Sequence, residues 1–437
     1  MASKLETIET QLKSNNTEDR KKAIRDLCKC TDEGSIEILI RVLADDNEDV
    51  VAGAIKALCE RGDESIQGLI AALKDPSWTI RKNASKVLVR MGKKSLDPII
   101  EAMRSDDEDV QFWAGEVLSE FGEEGLEKFL EILEKGSQSS KLCAIGALGK
   151  IGSDRAVDPL LSQLASDSWT IRKAAAEALW EIGQPAVNLL IKQLDAGNAD
   201  VQFWAIQILG EIGDEHAVAP LIEKLRDDSQ NEEKKISIIK ALGEIEDPSA
   251  ISELINQLGS SSWFVRRAAG EALWQIGPPA IPELISALKH DNVDVRYWCS
   301  KVLGEMQARE AIPHLIELLE DKEWSIRSGA AYALGEIGDD RSAEALMKFL
   351  EDPNEIVRKN VVIALGQIGD AKAIQSSTQA LDDESEWVRR YAAETLEKLK
   401  EKKIDHQLAA GQTCLDCRAK LEDAWKFCPF CGKEVDA

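Results

Sequence analysis

The chain has 437 residues and a formal net charge of −25, an acidity that disfavours long contacts with phosphate backbones and anionic membranes. Apolar residues make up 44% of the sequence, but no run reaches the roughly 18 consecutive apolar residues of a membrane-spanning helix. The start MASKLETIETQLKSNN lacks the apolar core of a signal peptide, and five of the nine cysteines stand at unrelated positions, which favours a reducing compartment. We therefore expect a cytoplasmic protein that avoids membranes and is a monomer.

Residues 1–34 predict a capping pair of helices. Leu5, Ile8 and Leu12 recur at helical spacing, and Ala23 and Leu27 indicate a second helix. Their polar surroundings suit the exposed end of a repeat array.

The stretch SWTIRKAAAEALWEIG, residues 168–183, is the best-formed element of the sequence. Its apolar residues recur at i, i+4, i+7, i+8 and i+11, which is one face of an α-helix: Ile171, Ala175, Ala178, Leu179 and Ile182. Ser168 stands at the N-cap position, where its side chain is expected to accept the first free amides, and Gly183 supplies the positive φ of a helix end. We predict a helix from Trp169 to Ile182.

Close copies of this stretch recur along the chain. The residues that end them follow one another at steps of 30 or 31, apart from one step of 33. Each unit also contains an earlier apolar helix, such as AVDPLLSQL at 156–164. A period of this length accommodates two helices and two turns, so we predict a solenoid of about twelve repeats over residues 35–400.

Tryptophans reveal a longer period above the short one. Trp78, Trp169 and Trp263 each begin a second helix and are 91 and 94 residues apart. Trp113, Trp204 and Trp298 follow with the same spacing inside the second helix of the next repeat. A block of three repeats covering roughly residues 65–338 is therefore interpreted as duplicated twice.

The repeats resemble HEAT repeats, specifically the short class first noted in phycobilisome lyases. The resemblance is carried by an Asp followed by W-x-I-R-x-x-A-A-x-A-L-x-x-I-G at 167–183, with relatives at 75–92, 321–338 and 352–369. It implies an all-α fold, a right-handed α-α superhelical solenoid. It also implies a ladder of turn Asp and helix Arg residues between neighbouring repeats, interrupted where Gln replaces Arg. The matching residues are Asp75 with Arg81, Asp167 with Arg172, Asp321 with Arg327 and Asp352 with Arg358, and the interruptions are Gln111 and Gln202.

Enzyme branches of this family are weighed on their residues. Deoxyhypusine hydroxylases hold iron through His-Glu pairs, whereas the four histidines here are followed by Ala, Asp, Leu and Gln. DNA glycosylases with this fold use a basic inner face, which the charge of −25 disfavours. Bilin lyases have no short motif to test and stay an alternative. We predict no catalytic residues.

Aromatic and basic residues share the side of the second helices opposite the core, which the resemblance places on the concave face. Turning each residue through about 100° assigns these positions. The predicted partner-binding residues are Trp78, Lys82, Phe112, Trp169, Lys173, Trp180, Phe203, Trp263, Arg267, Trp274, Tyr297 and Trp324. Two interpretations stay open: the rings stack on one another between repeats, or they bind a partner. By the same register, Trp113, Trp204 and Trp298 are expected to pack between adjacent helices.

The end of the chain carries two Cys-x2-Cys pairs separated by ten residues: Cys414, Cys417, Cys428 and Cys431. Four thiolates in this pattern suit tetrahedral Zn²⁺ and resemble a small zinc ribbon, with an Fe(Cys)4 centre as the lesser alternative. We expect one structural zinc in a ribbon at 413–437, tethered by a linker at 401–412.

The function predicted from the sequence is a non-catalytic scaffold or adaptor that binds a protein or peptide partner in an aromatic-lined concave groove. One alternative is a lyase or chaperone-like factor that attaches a chromophore or cofactor to a partner protein. A second is single-stranded nucleic-acid binding, since rings interleaved with Lys and Arg suit stacked bases, although the net charge disfavours it.

Overall fold

The computed structural model describes residues 4–30, 34–103, 105, 107–227, 230–369 and 378–397. Throughout these residues the regular structure is α-helix and short 3₁₀-helix, with no strand, as the all-α prediction requires. Contacts divide the chain into two compact units, Met1–Ala217 and Val218–Ala437. None of the described helices is both long enough and apolar enough to cross a bilayer.

The first unit begins with α1 (Lys4–Leu12) and α2 (Thr17–Leu27) and continues as helix pairs. In each pair we call the first helix A and the second B. The pairs are α3 (Ser35–Val42) with α4 (Glu48–Arg61), α5 (Asp63–Ala71) with α6 (Trp78–Met91), α7 (Lys93–Ala102) with α8 (Glu108–Ser119), α9 (Glu123–Lys135) with α10 (Gln138–Ile151), α11 (Val157–Gln163) with α12 (Trp169–Ile182), and α13 (Gln184–Gln193) with α14 (Ala199–Ile212).

The second unit repeats the same alternation. Its pairs are α15 (Val218–Leu225) with α16 (Glu232–Ile245), α17 (Ile251–Gln257) with α18 (Trp263–Ile276), α19 (Ile281–Ala287) with α20 (Val293–Glu305), α21 (Ile312–Leu318) with α22 (Trp324–Ile337), and α23 (Ala343–Met347) with α24 (Glu355–Ile368). A further B helix occupies 386–397.

The helix boundaries follow local chemistry. The helix α12 spans Trp169–Ile182 as predicted, and Gly183 after it has a φ of 71°. The side chain of Ser168, however, caps no backbone amide, so that part of the prediction was wrong. Its hydroxyl lies 2.8 Å from Thr170 Oγ1 and accepts a hydrogen bond from Gln138 Nε2 at 3.0 Å, which uses its hydrogen-bonding capacity elsewhere.

Neighbouring B helices approach most closely where glycine meets alanine. A Cβ added to Gly335 of α22 would lie 2.7 Å from the Cα of Ala364 in α24, and one on Gly149 of α10 would lie 2.9 Å from the Cα of Ala178 in α12. Real Cβ atoms do not come this near to backbone. The glycines therefore permit backbone contact between successive B helices within each unit.

The predicted ladder between neighbouring repeats forms in the second unit, where each rung joins an aspartate to the arginine of the preceding repeat. Arg327 binds Asp352 at 2.7 and 3.0 Å, and Arg296 binds Asp321 at 3.1 Å. Within its own repeat the arginine instead donates to the main-chain carbonyl of the turn, as Arg81 does to Asp75 O at 2.7 Å. Arg172 likewise donates to Asp167 O, and the Nε atoms of Arg81 and Arg172 find no hydrogen-bond acceptor within the described residues. Within one repeat the carboxylate pairs of Asp75 with Arg81, Asp167 with Arg172, Asp321 with Arg327 and Asp352 with Arg358 are therefore not made.

Candidate functional site

Large aromatic rings stand about half exposed on the side of the B helices opposite their buried residues. We call this surface the B-helix face of each unit. In the first unit they range from 47% exposed for Phe203 to 57% for Trp169, and Trp78, Phe112 and Trp180 lie between. In the second unit Trp263, Trp274 and Trp324 are 45–54% exposed, whereas Tyr297 is less so at 36%. All the predicted aromatic positions are thus accessible on their helices.

The positions follow from helix geometry. In α12 the buried residues Ile171, Ala175 and Leu179 form one face, and Trp169 and Trp180 stand eleven residues apart on the opposite one. Trp180 also donates from Nε1 to the carbonyl of Glu211 at 3.3 Å, which orients its ring toward the end of α14. The helix therefore buries its small aliphatic side and presents its large rings.

The tryptophans that begin α6, α12 and α18 each lie beneath a basic side chain one turn further along. Lys82 Nζ lies 4.6 Å from the Trp78 ring centroid, Lys173 Nζ lies 5.7 Å from that of Trp169, and the Arg267 guanidinium lies 5.6 Å from that of Trp263. These are cation–π distances. The predicted basic residues of the face are therefore paired with its rings.

A carboxylate follows one turn later in two of these helices. Lys173 pairs with Glu177 at 3.4 Å, and Arg267 pairs with Glu271 at 2.7 Å. Each of these helices thus carries a row of tryptophan, cation, carboxylate and a second tryptophan. The rows of α12 and α18 have the same chemistry because the sequence block that contains them is duplicated.

Contacts among the exposed rings of the described residues join sequence neighbours, such as Trp263 and Phe264 at 5.4 Å between centroids, and leave the rings accessible. The ring centroids of Phe112 and Trp113 lie 5.5 Å apart, as do those of Phe203 and Trp204, and each of these pairs also joins sequence neighbours. Between successive B helices, the ring pair recorded among the described residues is Trp263 with Trp298, at 6.5 Å between centroids. Since the outer rings stay about half exposed, mutual stacking does not seal the face.

The second series of tryptophans packs between helices to different extents. Trp298 is 5% exposed and lies against Gly270 of α18, where an added Cβ would be 3.3 Å from the indole. Trp113 and Trp204 are only half-buried. Tyr297 lies over Gly329 of α22, and burial raises the pKa of its hydroxyl.

Sequence reasoning missed two exposed rings, Phe264 and Trp387, each 60% exposed. Each is the second residue of its helix and stands two positions before the ladder arginine. The helices α6 and α12 have threonine at this position. That position points out of the first helical turn. The helical register of the sequence could therefore have identified these rings, since they stand one residue after the position of Trp169 and Trp263.

The described residues hold no group of three or more His, Cys, Asp or Glu side chains arranged to bind a metal. The cysteines within them, Cys28, Cys30, Cys59, Cys143 and Cys299, are free thiols. The predicted zinc ligands lie outside the described residues: Cys414, Cys417, Cys428 and Cys431. So do the predicted linker at 401–412 and ribbon at 413–437.

Family comparison identifies the class of the protein. The model for HEAT repeats matches in overlapping segments that run from residue 66 to residue 410. The chain belongs to the HEAT-repeat family.

Individual proteins are similar to parts of the chain. A phycobilisome maturation protein of Synechococcus elongatus (strain ATCC 33912 / PCC 7942 / FACHB-805) is 31% identical over 85 residues, which is 20% of this chain and 41% of that protein. The match thus spans less than half the length of that relative. Among solved structures, Kap121p is 12% identical over 86% of this chain and 50% of its own, with a TM-score of 0.48. Human deoxyhypusine hydroxylase is 22% identical over 59% of this chain and 100% of its own, with a TM-score of 0.26.

Proposed function

We propose that the protein is a non-catalytic scaffold or adaptor that binds a protein or peptide partner on its B-helix face. The observation that carries the proposal is the set of rings on this face that are about half exposed and uncovered by one another. Aromatic and arginine side chains are enriched at interface hot spots, and contiguous apolar surface on a folded protein marks contact sites.

The magnitude of the available binding energy supports this role. Covering the exposed half of one indole removes on the order of 100 Å² of apolar surface from water, which is worth about 2–3 kcal/mol. Each of the helices α12 and α18 presents two such rings. A few covered rings therefore offset much of the cost of association, which is about 4–15 kcal/mol.

A triple substitution in the first unit tests the proposal: Trp169→Ala, Trp180→Ala and Phe203→Ala. Affinity capture from the source organism with wild-type and variant baits should show a partner that the variant loses, with helicity and melting temperature nearly unchanged. Trp387→Ala is a control, because this ring is as exposed but lies at a different register position. A variant that keeps the same partners, or that melts at a much lower temperature, would refute the binding role.

The similarity to a phycobilisome maturation protein favours one alternative, a factor that attaches a chromophore or another cofactor to a partner protein. Incubation of the purified protein with bilins and candidate acceptor subunits distinguishes the two functions. A covalent adduct that forms only in the presence of this protein would replace the scaffold proposal with the lyase.

We also propose that residues 413–437 form a ribbon around one structural zinc. Support comes from the donor set, since four thiolates in two Cys-x2-Cys pairs match the ligand preference of Zn²⁺ and so short a segment has little core of its own. Metal analysis should give one zinc per chain, lost on Cys428→Ser with Cys431→Ser and kept on Cys28→Ser. A native protein without bound metal would end this proposal.

A further inference from the structure

The helix α6 departs from its two duplicated counterparts in charge. It keeps the leading tryptophan and its cation, Trp78 and Lys82, but the next position one turn along is Lys86. The corresponding residues are Glu177 in α12 and Glu271 in α18, each of which neutralises the cation before it. One turn further, Arg90 stands where α12 has Glu181 and α18 has Gln275. The row is neutral in α18 and carries one net negative charge in α12, whereas in α6 it is a line of three cations.

Within the part of the chain that the structure describes, these three cations have no carboxylate partner. No Asp or Glu side chain of the described residues lies within 4.0 Å of the charged nitrogens of Lys86 or Arg90, and Lys82 makes its contact with the Trp78 ring. Like charges spaced four residues apart on one helix repel one another. The folded chain thus maintains an unfavourable arrangement that a bound anion would relieve.

The cations line a pocket between α6 and α8. Its volume is about 600 Å³, and its walls include the Trp78 and Trp113 rings beside Lys82, Lys86 and Arg90. Glu116 and Glu120 stand on the α8 side, where Glu116 is paired with Lys150 of α10. The pocket therefore combines apolar ring surface with an excess of positive charge.

The corresponding space between α18 and α20 is filled by an indole. There Trp298 packs onto Gly270 and is 5% exposed. In α6 the residue at the position of Gly270 is Ser85, which carries a side chain where Gly270 carries none, and Trp113 is only half-buried. The buried indole of Trp298 thus has a less buried counterpart in Trp113, which lines the pocket between α6 and α8.

We propose that this pocket binds an acidic peptide segment that also carries an aromatic or large aliphatic side chain; the inference rests on the proposed partner-binding function and names the chemistry of the partner. Carboxylates of the segment pair with Lys86 and with the forked guanidinium of Arg90, and the apolar side chain packs on Trp78. The first and last of the three cations stand eight positions apart, or about 12 Å along the helix, which matches two or three carboxylates rather than a long phosphate backbone.

The acidity of the whole chain is compatible with such a partner. At about 0.15 M salt the Debye length is about 8 Å, so distant acidic residues are largely screened while contacts inside the pocket persist. Added salt beyond this level weakens the local pairs as well, and the affinity should fall accordingly.

The test uses the full chain and a fluorescein-labelled peptide of about ten residues, rich in Asp and Glu with a single Phe, measured by fluorescence anisotropy. A peptide with Asn and Gln in place of the acids is the ligand control. Lys86→Glu installs the residue that α12 and α18 carry at this position, so the variant is expected to fold. Binding should weaken at least tenfold in Lys86→Glu and disappear when Arg90→Glu is added. Lys74→Glu makes the same charge change outside the pocket and should bind like the wild type.

Several results would overturn the inference: no binding of the acidic peptide to the wild type, equal binding of the neutral peptide, or equal losses in Lys86→Glu and Lys74→Glu. Tighter, Lys86-dependent binding of a labelled single-stranded oligonucleotide would assign the pocket to nucleic acid instead. If the ring variant of the first unit loses its captured partner while Lys86→Glu keeps it, the B-helix face stands as the interaction site and only the acidic-peptide assignment fails.

Discussion

Arg358 holds Asp383 of the following repeat at two points, with Nε 2.8 Å from Oδ2 and Nη2 3.0 Å from Oδ1. Its remaining nitrogen, Nη1, donates to the carbonyl of Asp352 at 2.7 Å. The side chains of Arg358 and Asp383 are 6% and 9% exposed. Together with Arg296–Asp321 and Arg327–Asp352, this contact makes three consecutive rungs between neighbouring repeats of the second unit.

Replacement of this arginine by glutamine should isolate the carboxylate contact. Gln202 occupies the ladder position in α14 and still donates to the Ala196 carbonyl at 2.6 Å. Arg358→Gln should therefore keep the bond to the turn and remove the guanidinium that binds Asp383 and the exposed Glu384. We expect a loss of about 3 kcal/mol in the free energy of unfolding. Urea denaturation measures it. Arg390→Gln, which breaks an exposed pair with Glu394, should cost less than about 0.5 kcal/mol, and equal costs would contradict a structural role for the ladder.

Acid should remove the difference in stability between the wild type and the Arg358→Gln variant. Burial alone would raise the pKa of Asp383, but hydrogen bonds from Arg358 and the Ser385 amide, with the positive charges of Arg358 and Arg389, hold it below its ordinary value. A lowered pKa in the folded state stabilises the fold above the unfolded value of about 3.9, and this stabilisation is lost as pH falls through the folded pKa. The difference in urea midpoint should therefore be constant from pH 7 to about 5 and shrink below about 4. A difference that persists at about pH 2 would exclude Asp383 as its source.

Two glycines in B helices should respond to alanine in opposite directions. Gly335→Ala places a Cβ 2.7 Å from the Cα of Ala364, so α22 and α24 must separate, at a cost of about 1–3 kcal/mol. Gly146→Ala in α10 meets nothing within 4 Å and should gain about 1 kcal/mol from helix propensity. Thermal melting of both variants measures the shifts. A stabilised Gly335→Ala variant would show that the helices are not in backbone contact.

Two tryptophans of the second unit should differ in how much each contributes to the free energy of unfolding. Trp298 is 5% exposed, so Trp298→Ala should cost about 3–5 kcal/mol of unfolding free energy. Trp274 is 54% exposed, and Trp274→Ala should cost less than about 1 kcal/mol. Chemical denaturation of the two variants provides the comparison. A large loss for Trp274→Ala would mean that the exposed rings stabilise the fold, which would weaken the binding proposal.

Local patterns were sufficient to locate the helices. The apolar spacing of SWTIRKAAAEALWEIG and the glycine after it predicted α12 residue by residue, because a helix is set by the period of its buried face and by the backbone freedom at its end. The same register placed the rings of Trp169 and Trp180 opposite the core. The side-chain cap of Ser168 was mispredicted because its hydroxyl bonds with Thr170 and Gln138 instead.

The sequence by itself determined the repeat family, the helix positions and which side of each helix carries the rings, since all three depend on residues within one or two turns. Only the tertiary structure decided that the rungs of the second unit take their arginine from the repeat before the aspartate, that Trp298 is buried while Trp113 stays half-buried, and that Lys86 and Arg90 share a pocket with two indoles. Those outcomes depend on the distance between successive B helices. That distance is set by the pairing of small and large side chains across the interface, such as Gly270 with Trp298, which a single helix does not reveal.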